Sequence, residues 1–305
     1  MNDDAHALDR SAVRRAFDRA APRYDDAADL QREAADELLE RLAPVRVTPR
    51  TVVDLGCGTG YATRALQKMY RGADVLGVDF APGMARRAHG SWRPGRRPLA
   101  VCADVTRLPL GDASADVLFS NLTFQWVSDL PGLFTELRRV LRPDGVLMFS
   151  SFGPDTLAEL RAAWAAVDDR VHVHTFPDMH DVGDALLAAG FTDPVMDVDR
   201  LRREYGDLRA LMRALKGIGA SNATVDRKRG LRGRRALERV ADAYASLTPD
   251  GRPLASWELV YGHAWGASTP RAGRGDAAEF HVPLESIGRM PGRSGDARSR
   301  QGRSE

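Results

Sequence analysis

Cysteine is scarce in this sequence: its 305 residues include two, Cys57 and Cys102. Two cysteines are too few for a disulfide framework or for a metal site built on cysteine. Long hydrophobic runs are also absent, since no apolar stretch approaches the roughly 18 to 20 residues of a membrane span. The first ten residues, MNDDAHALDR, lack the apolar segment of a secretory signal. These absences predict a cytoplasmic protein with no membrane span.

An excess of charge of one sign is missing as well. The chain has 44 Lys and Arg against 42 Asp and Glu, and a formal net charge of +2. Seven of the basic and five of the acidic residues fall in residues 266–305, so the first 265 residues are neutral. A neutral body does not support a general nucleic-acid-binding surface. With 43% hydrophobic and 28% charged residues, the composition is typical of a globular protein.

Short apolar runs alternate with helical patterns after a helical N-terminal region. The runs lie at residues 51–55, 74–79, 99–102, 115–120 and 146–151, with further strand-like segments at 194–198 and 255–265. Strands that alternate with helices favour a parallel sheet with helices on both faces. We therefore predict an α/β fold: a Rossmann-like, seven-stranded, mostly parallel, doubly wound sheet with N-terminal helices and a helical insertion before the last strand.

A glycine-rich loop, DLGCGTG at residues 54–60, joins the first predicted strand to a helix. Open α/β sheets bind ligands at this position, and glycines let the backbone approach a ligand closely. Asp79 ends the next strand, where its carboxylate can accept both hydroxyls of a ribose. Asp104 follows the third strand and offers an acceptor near an adenine amino group. Together these residues indicate a nucleoside site.

Two common nucleotide-binding motifs do not fit this loop. A dinucleotide-binding loop, G-x-G-x-x-G, requires glycine where Tyr61 stands, and a P-loop requires a lysine that is missing here. The carboxylate of Asp54 also disfavours a bound phosphate, whereas it suits a ligand that bears an ammonium group.

The segments DLGCGTG, VDFAPGM and CADVTRLPL together resemble the class I S-adenosylmethionine-dependent methyltransferases. The resemblance implies S-adenosylmethionine as the cofactor, with its methionine portion at the glycine loop, its ribose at Asp79 and its adenine near Met84. We include Asn121, which follows the fourth predicted strand, among the cofactor-binding residues. The full predicted set is Asp54, Gly56, Gly58, Gly60, Asp79, Met84, Asp104, Val105 and Asn121.

The methyl acceptor is expected beside the segment after the fourth strand, SNLTFQWV at residues 120–127. An amine or alcohol acceptor must lose a proton to a general base, whereas a carboxylate is already ionised at pH 7. The segment offers Asn121 and Gln125 as neutral hydrogen-bonding groups and no acidic or histidine base, which is consistent with a carboxylate acceptor. Gln125 and Trp126 are candidates for orienting the acceptor, and Tyr24 for closing over the cofactor. The alternative is that Trp126 and Tyr24 only pack in the core.

Six further segments, in order, resemble the malonyl-acyl-carrier-protein O-methyltransferase family of biotin synthesis: AFDRAAPRYDDAADLQREAADELLERL, SNLTFQWVSDL, LRPDGVLMFSSFGPDTLAELRAAW, DMHDVGDALLAAGF, LMRALKGIGASN and WELVYGHAW. The resemblance covers residues 8–266. It implies methylation of the free carboxylate of a malonyl thioester, which would let fatty-acid enzymes elongate the capped chain toward a pimeloyl group. Two alternatives stay open: another small-molecule or lipid methyltransferase, and a respiratory-complex assembly factor that acts on a protein arginine.

The family resemblance also implies an acidic partner, an acyl carrier protein that bears the malonyl thioester. The run RKRGLRGRR at residues 227–235 has six cations in nine residues, so Arg227, Lys228 and Arg229 are candidates for docking the carrier. A solvated basic surface is the alternative. His172, His174 and His180 do not have a convincing metal-ligand spacing, and methyl transfer needs no metal, so no metal site is predicted.

These predictions divide the chain into five parts. Residues 1–50 form N-terminal helices that cover the active site, and residues 51–199 form the cofactor-binding core. Residues 200–250 form a helical insertion that caps the substrate or carrier side, and residues 251–266 form the last strand. Residues 267–305, rich in Gly, Arg and Ser, are expected to be disordered.

Overall fold

The computed structural model describes residues 8–90, 99–220, 234–248 and 253–267. Two helices come first, α1 (Arg10–Ala20) and α2 (Asp29–Leu42), joined by a 3-10 helix at Ala21–Asp26. α1 begins where the side chain of Asp9 accepts a hydrogen bond from the Ala12 backbone N–H at 2.9 Å, a typical helix cap. Both helices bury one apolar face against the rest of the protein, as the spacing of their apolar residues predicts.

Strands and helices then alternate along the chain. The further elements are β1 (Thr51–Leu55), α3 (Tyr61–Met69), β2 (Asp74–Asp79), α4 (Pro82–Gly90), β3 (Leu99–Cys102), β4 (Ala115–Asn121), a 3-10 helix at Phe124–Trp126, α5 (Leu130–Val140), β5 (Leu141–Phe152), α6 (Ala158–Ala165), α7 (Met179–Ala188), β6 (Phe191–Glu204), α8 (Leu208–Gly217), α9 (Arg234–Leu247) and β7 (Leu254–Gly266).

The described strands form one seven-stranded sheet in the order β3-β2-β1-β4-β5-β7-β6. β1 lies between β2 and β4, with Val53 opposite Leu76 on one side and Leu118 on the other, and all these pairings are parallel. β7 runs antiparallel to both of its neighbours, β5 and β6. The chain order reverses on either side of β1, and in open α/β sheets this switch point is where ligands bind.

Helices cover both faces of the sheet. One apolar cluster joins the sheet to α2, α3, α6, α8 and α9, and a second joins its opposite face to α5 and α7. Val52 and Val53, adjacent on β1, belong to opposite clusters and are both fully buried. A strand buried on both faces has a nearly continuous run of apolar residues. This is why β1 can be predicted from the sequence.

The predicted fold class is confirmed, and the structure adds detail to it. β6 continues to Glu204, well past the strand predicted at residues 194–198, because its exposed outer residues pair with β7 up to Leu254. α8 and α9 form the helical insertion before the last strand. The division of the chain into five parts stays a prediction. Arg227, Lys228, Arg229 and residues 268–305 lie outside the described residues. None of the described helices is long and apolar enough to cross a membrane.

Candidate active site

The glycine loop between β1 and α3 forms the floor of the site at the carboxyl edge of the sheet. Gly56, Gly58 and Gly60 all have positive φ, at 69°, 54° and 84°, a conformation that other residues rarely adopt. A Cβ on Gly56 would overlap the side chain of Thr123. The backbone N–H groups of Gly56 and Cys57 both donate to the Val78 carbonyl, at 2.7 and 3.0 Å, and fasten the loop to β2.

Asp79 lies at the end of β2 and is held by backbone donors on both sides. Its carboxylate accepts hydrogen bonds from Gly58 N–H at 3.0 Å and Ala81 N–H at 2.8 Å. Burial raises the pKa of this carboxyl to about 6, although both hydrogen bonds favour the ionised form. The carboxylate lines a small cleft of about 70 Å³.

Asp54, at the end of β1, is 1% exposed and accepts a hydrogen bond from Thr63 Oγ1 at 2.5 Å. Burial raises the pKa of Asp54 to about 7, and the nearby carboxylate of Asp79 adds to the shift. Asp54 lines a second cleft, of about 50 Å³, which shares Tyr24, Gly56, Gly58 and Asn121 with the first. The two clefts therefore adjoin along the glycine loop.

Gln31 on α2 also lines the second cleft. Its side-chain oxygen is buried and has no hydrogen-bond partner in the described part of the chain. A buried acceptor without a partner is costly unless a ligand donates to it. With Asp54 in the same cleft, this oxygen fits the ammonium group of a bound amino acid, so the residues present fit the methionine end of S-adenosylmethionine.

The first cleft ends among the residues predicted to contact the adenine. Met84, Val105 and Asp104 line it together with Phe80. Asp104 forms an ion pair with Arg10 of α1 and accepts hydrogen bonds from the Thr106 N–H and Oγ1, at 2.9 and 2.8 Å. Arg10 lines the same cleft, so α1 contacts the cofactor site at this end.

The N-terminal helices cover both clefts and are tied to the core by polar contacts. Thr59 Oγ1 donates to Asp25 at 2.6 Å, and Asn121 Nδ2 donates to the Gln31 carbonyl at 2.9 Å. Tyr24, between the two helices, lines both clefts. Burial raises the pKa of the Tyr24 hydroxyl, with Asp79 and Asp25 adding to the effect, so this hydroxyl stays protonated.

A cavity of about 950 Å³ adjoins the cofactor site at Trp126, whose side chain lines both. The Trp126 ring packs edge-on against Phe17, with ring centroids 5.4 Å apart, and tilts against His174 at the same distance. The inner wall of the cavity is apolar and includes Phe152, Leu157, Leu160, Trp164, Phe176 and Trp257. Its volume is within the range of small-molecule pockets, and its place beside the cofactor cleft makes it the candidate site for the methyl acceptor; we call it the acceptor cavity.

The charged residues that line this acceptor cavity within the described ranges are all basic. Arg19, Arg23, Arg213 and Lys216 line it, and among the residues that the structure describes no Asp or Glu does. His172 and His174 line the cavity as well. The His172 ring stacks on Trp164 and contacts Asp168 Oδ1 at 2.6 Å. Burial, with Arg161 nearby, lowers the pKa of His174 to about 4, so that ring is neutral at pH 7.

Gln125 does not line either the cofactor clefts or the acceptor cavity. Its amide nitrogen donates to the Leu122 carbonyl at 2.7 Å, and its oxygen accepts from Ser151 Oγ at 3.5 Å. Both ends of the amide are therefore used within the protein, at the base of the segment that carries Trp126.

The two clefts are lined by the residues that the sequence singled out for the cofactor, except Gly60, which lines neither, and the clefts and the cavity add others. The added residues are Gln31, Arg10, His174 and the four cations of the acceptor cavity. The alternation His172-Val173-His174 was the available signal for the histidines; nothing in the sequence marked Gln31. In the part of the chain described, no three His, Cys, Asp or Glu side chains are grouped to hold a metal ion.

Fold and site together define a class I S-adenosylmethionine-dependent methyltransferase. A methyltransferase-domain family model matches residues 53–149. The fold matches the solved YcgJ protein of Bacillus subtilis, with a TM-score of 0.55, 14% identity and coverage of 77% of this chain and 99% of that one. It also matches the BH2331 protein of Bacillus halodurans, with a TM-score of 0.56, 15% identity and coverage of 77% and 100%.

Several named proteins are much more similar to this chain in sequence than these two structures are. The chain is 52% identical to a malonyl-[acyl-carrier protein] O-methyltransferase of Halorhodospira halophila, across 94% of this chain and 98% of that protein. It is 48% identical to the enzyme of the same name from a Methylovorus species, across 87% and 92%. The chain therefore belongs to the malonyl-[acyl-carrier protein] O-methyltransferase family.

Proposed function

We propose that this enzyme transfers a methyl group from S-adenosylmethionine to the free carboxylate of a malonyl thioester carried by an acyl carrier protein. The product is the methyl ester that primes pimeloyl synthesis for biotin. One observation carries the choice of acceptor: the cavity beside the cofactor site is lined by four cations and, among the described residues, by no carboxylate. The names of the family's members support the same substrate.

The charges of the cavity favour an anionic acceptor that needs no general base. An amine or alcohol must give up a proton as it is methylated. The neutral His174, with a pKa of about 4, is too weak a base for that proton at pH 7. A carboxylate is already ionised, and the positive potential of Arg19, Arg23, Arg213 and Lys216 at the cavity opening favours entry of a substrate that carries this negative charge. The protein then has to orient the carboxylate toward the methyl group and exclude water.

In this proposal the cofactor lies along the glycine loop, with its activated methyl group toward Trp126. Its ammonium group is bound by Asp54 and the side-chain oxygen of Gln31, and its ribose by Asp79. Asp104, with Val105 and Met84, contacts the adenine. These assignments are supported by the buried carboxylates of Asp54 and Asp79 at the strand ends and by the buried Gln31 oxygen, which has no partner among the described residues.

The three candidates for the acceptor side have different roles in the proposal. Trp126, which lines both the cofactor cleft and the acceptor cavity, packs beside the malonyl group and aligns its carboxylate with the methyl group. Tyr24 covers the cofactor and offers a protonated hydroxyl, as its raised pKa requires. Gln125 acts through Trp126: its two internal hydrogen bonds hold the segment in place, so it is a positioning residue.

The two alternative functions fit the cavity less well. A protein arginine is a cation, and four cations around the cavity would repel it while no described carboxylate would bind it. A lipid or another small molecule would match the apolar inner wall but would leave the cations without a role. Neither alternative has an observation in its favour.

Methyl transfer from labelled S-adenosylmethionine tests the proposal directly. Malonyl carrier protein should accept the label, and mild base should release it, because a carboxyl methyl ester is base-labile. Acetyl carrier protein, which lacks the free carboxylate, is the matched control and should stay unlabelled. Equal labelling of the two carriers, or base-stable label, would contradict a carboxyl acceptor.

A further inference from the structure

The opening of the acceptor cavity carries four basic side chains from three separate elements. Arg19 lies on α1, Arg23 on the 3-10 helix, and Arg213 and Lys216 lie one turn apart on α8. All four are exposed, and all four line the cavity. We call this group the basic rim. Nearly 200 residues of sequence separate its two halves, so only the fold brings them to one opening.

The residues of the basic rim have no acidic partners in the described part of the chain. Some surface arginines are paired, as Arg41 is with Asp197 and Arg139 with Glu136 and Asp112, and others, such as Arg46 and Arg71, have no ion pair among the described residues. No carboxylate of those residues lies within 4 Å of any cation of the rim, and the rim is set apart because its four cations meet at one opening. Four like charges around one opening repel one another. The fold gains nothing evident from this arrangement, whereas an acidic partner would neutralise it.

The shape of the cavity indicates how that partner presents its substrate. Behind the rim the walls are mainly apolar, with His172 and His174 among them, and the cavity meets the cofactor site at Trp126. A substrate at the end of a thin, flexible arm can reach Trp126 while the body that holds the arm stays outside. The body must then be negatively charged where it meets the opening.

We propose that the basic rim is the docking surface for an acidic acyl carrier protein, whose thioester arm enters the cavity between α1 and α8. This inference rests on the proposed function. The residues of the rim are not those of the basic run at residues 227–235, so this proposal places docking on a different part of the chain. Because exposed charges act mainly on the encounter rate, docking should weaken as salt is added.

The test compares two double charge reversals of equal net charge. The first, Arg213→Glu with Lys216→Glu, changes the rim on α8 and leaves α1 and Tyr24 untouched. The second, Arg46→Glu with Arg71→Glu, is the matched control. Arg46 and Arg71 are exposed and precede β1 and β2, at the edge of the sheet opposite the site. Calorimetry with S-adenosylmethionine checks folding, and a Kd within twofold of the wild-type value is expected for both.

The measured quantity is kcat/KM for malonyl carrier protein divided by kcat/KM for malonyl-pantetheine, which has the arm's end but no protein and no phosphate. The rim variant should lower this ratio at least tenfold, and the control variant less than twofold. The Kd of unloaded holo carrier protein, measured by fluorescence anisotropy, should rise at least tenfold for the rim variant alone. Added salt should weaken binding to the wild-type enzyme more steeply than binding to the rim variant.

Three results would overturn the docking surface. An unchanged Kd for the carrier in the rim variant would refute docking at the rim. An equal increase of this Kd in the control variant would refute it as well. A loss as large on malonyl-CoA as on the carrier would show that the rim binds phosphate rather than a protein. If the wild-type enzyme forms no methyl ester on malonyl carrier protein, the proposed function fails instead, whatever the rim variant does.

Discussion

Replacing Asp54 by Asn separates the cost of burying a charge from its use in binding. Asp54 is 1% exposed, and burial raises its pKa from an ordinary 3.8 to about 7. The folded state therefore binds more protons than the unfolded state between these two values. Stability falls as pH rises through this window, because the buried carboxyl must ionise. Asn has no such charge, so we expect Asp54→Asn to stabilise the ligand-free enzyme at pH 8.

The size of the stabilisation follows from the raised pKa of Asp54. A difference of about three pKa units corresponds to about 4 kcal/mol at 1.36 kcal/mol per unit, and this is an upper limit. The side-chain oxygen of Asn can still accept the hydrogen bond from Thr63, but its NH₂ group must find a partner, which offsets part of the gain. We expect a gain of about 2 kcal/mol, or roughly 4 to 8 °C in Tm. At pH 5 the remaining penalty corresponds to about 1.2 pKa units, from 3.8 to 5, or about 1.6 kcal/mol. The cost of the Asn NH₂ group offsets this amount, so the gain should fall to about zero.

Cofactor binding should change in the opposite direction. A charge-assisted hydrogen bond to a buried carboxylate contributes about 1.5 to 3 kcal/mol, so the Kd for S-adenosylmethionine at pH 8 should rise about 10- to 100-fold. Thermal unfolding at pH 5 and pH 8, with calorimetric titration at pH 8, measures both effects. An unchanged Kd would refute Asp54 as the partner of the ammonium group. A Tm difference that does not depend on pH would refute ionisation as its cause.

Three further predictions concern the loop, the cover and the acceptor. Gly56→Ala forces a side chain into Thr123 at a positive φ. It should lower the free energy of unfolding by about 2 kcal/mol or more, which is several degrees in Tm. The control is Gly72→Ala, where a Cβ meets open space, and it should change Tm little. Arg10→Ala removes the exposed ion pair to Asp104. It should leave Tm within about 1 °C but speed cofactor release several-fold in stopped-flow fluorescence, and equal release rates would contradict a role for α1 in closing the site. With a carboxylate acceptor, and with the pKa of His174 lowered to about 4, kcat at saturating cofactor should vary less than twofold from pH 6.5 to 8.5. A tenfold rise over that range would instead indicate a general base.

The cofactor site could be predicted mostly from local features of the sequence, namely carboxylates at the ends of apolar runs and a glycine-rich loop. Asp54, Asp79 and Asp104 each follow or end an apolar run, and in a parallel sheet the ends of neighbouring strands meet at one edge. Their positions along the sequence therefore fix their approximate positions in space. The glycine loop is equally local, because its positive φ angles demand glycine whatever surrounds them.

The acceptor site depended on tertiary structure. Gln125 was a reasonable candidate by position, but the fold directs both ends of its amide to internal partners, and sequence cannot give the direction of a side chain after a strand. Gln31 lines the candidate cofactor cleft because α2 packs across the sheet, and in that arrangement its side-chain oxygen is buried without a partner among the residues that the structure describes.

What the sequence alone determined was the fold class and the place in the fold of the residues predicted to bind the nucleoside, since both follow from the local order of strands, loops and carboxylates. Only the tertiary structure decided the chemistry of the acceptor cavity. Arg19 and Arg213 are unremarkable surface residues in the sequence, and they define a site because α1 and α8 meet at one opening. Charge complementarity depends on distances in space, and distances between remote segments appear only once the chain has folded.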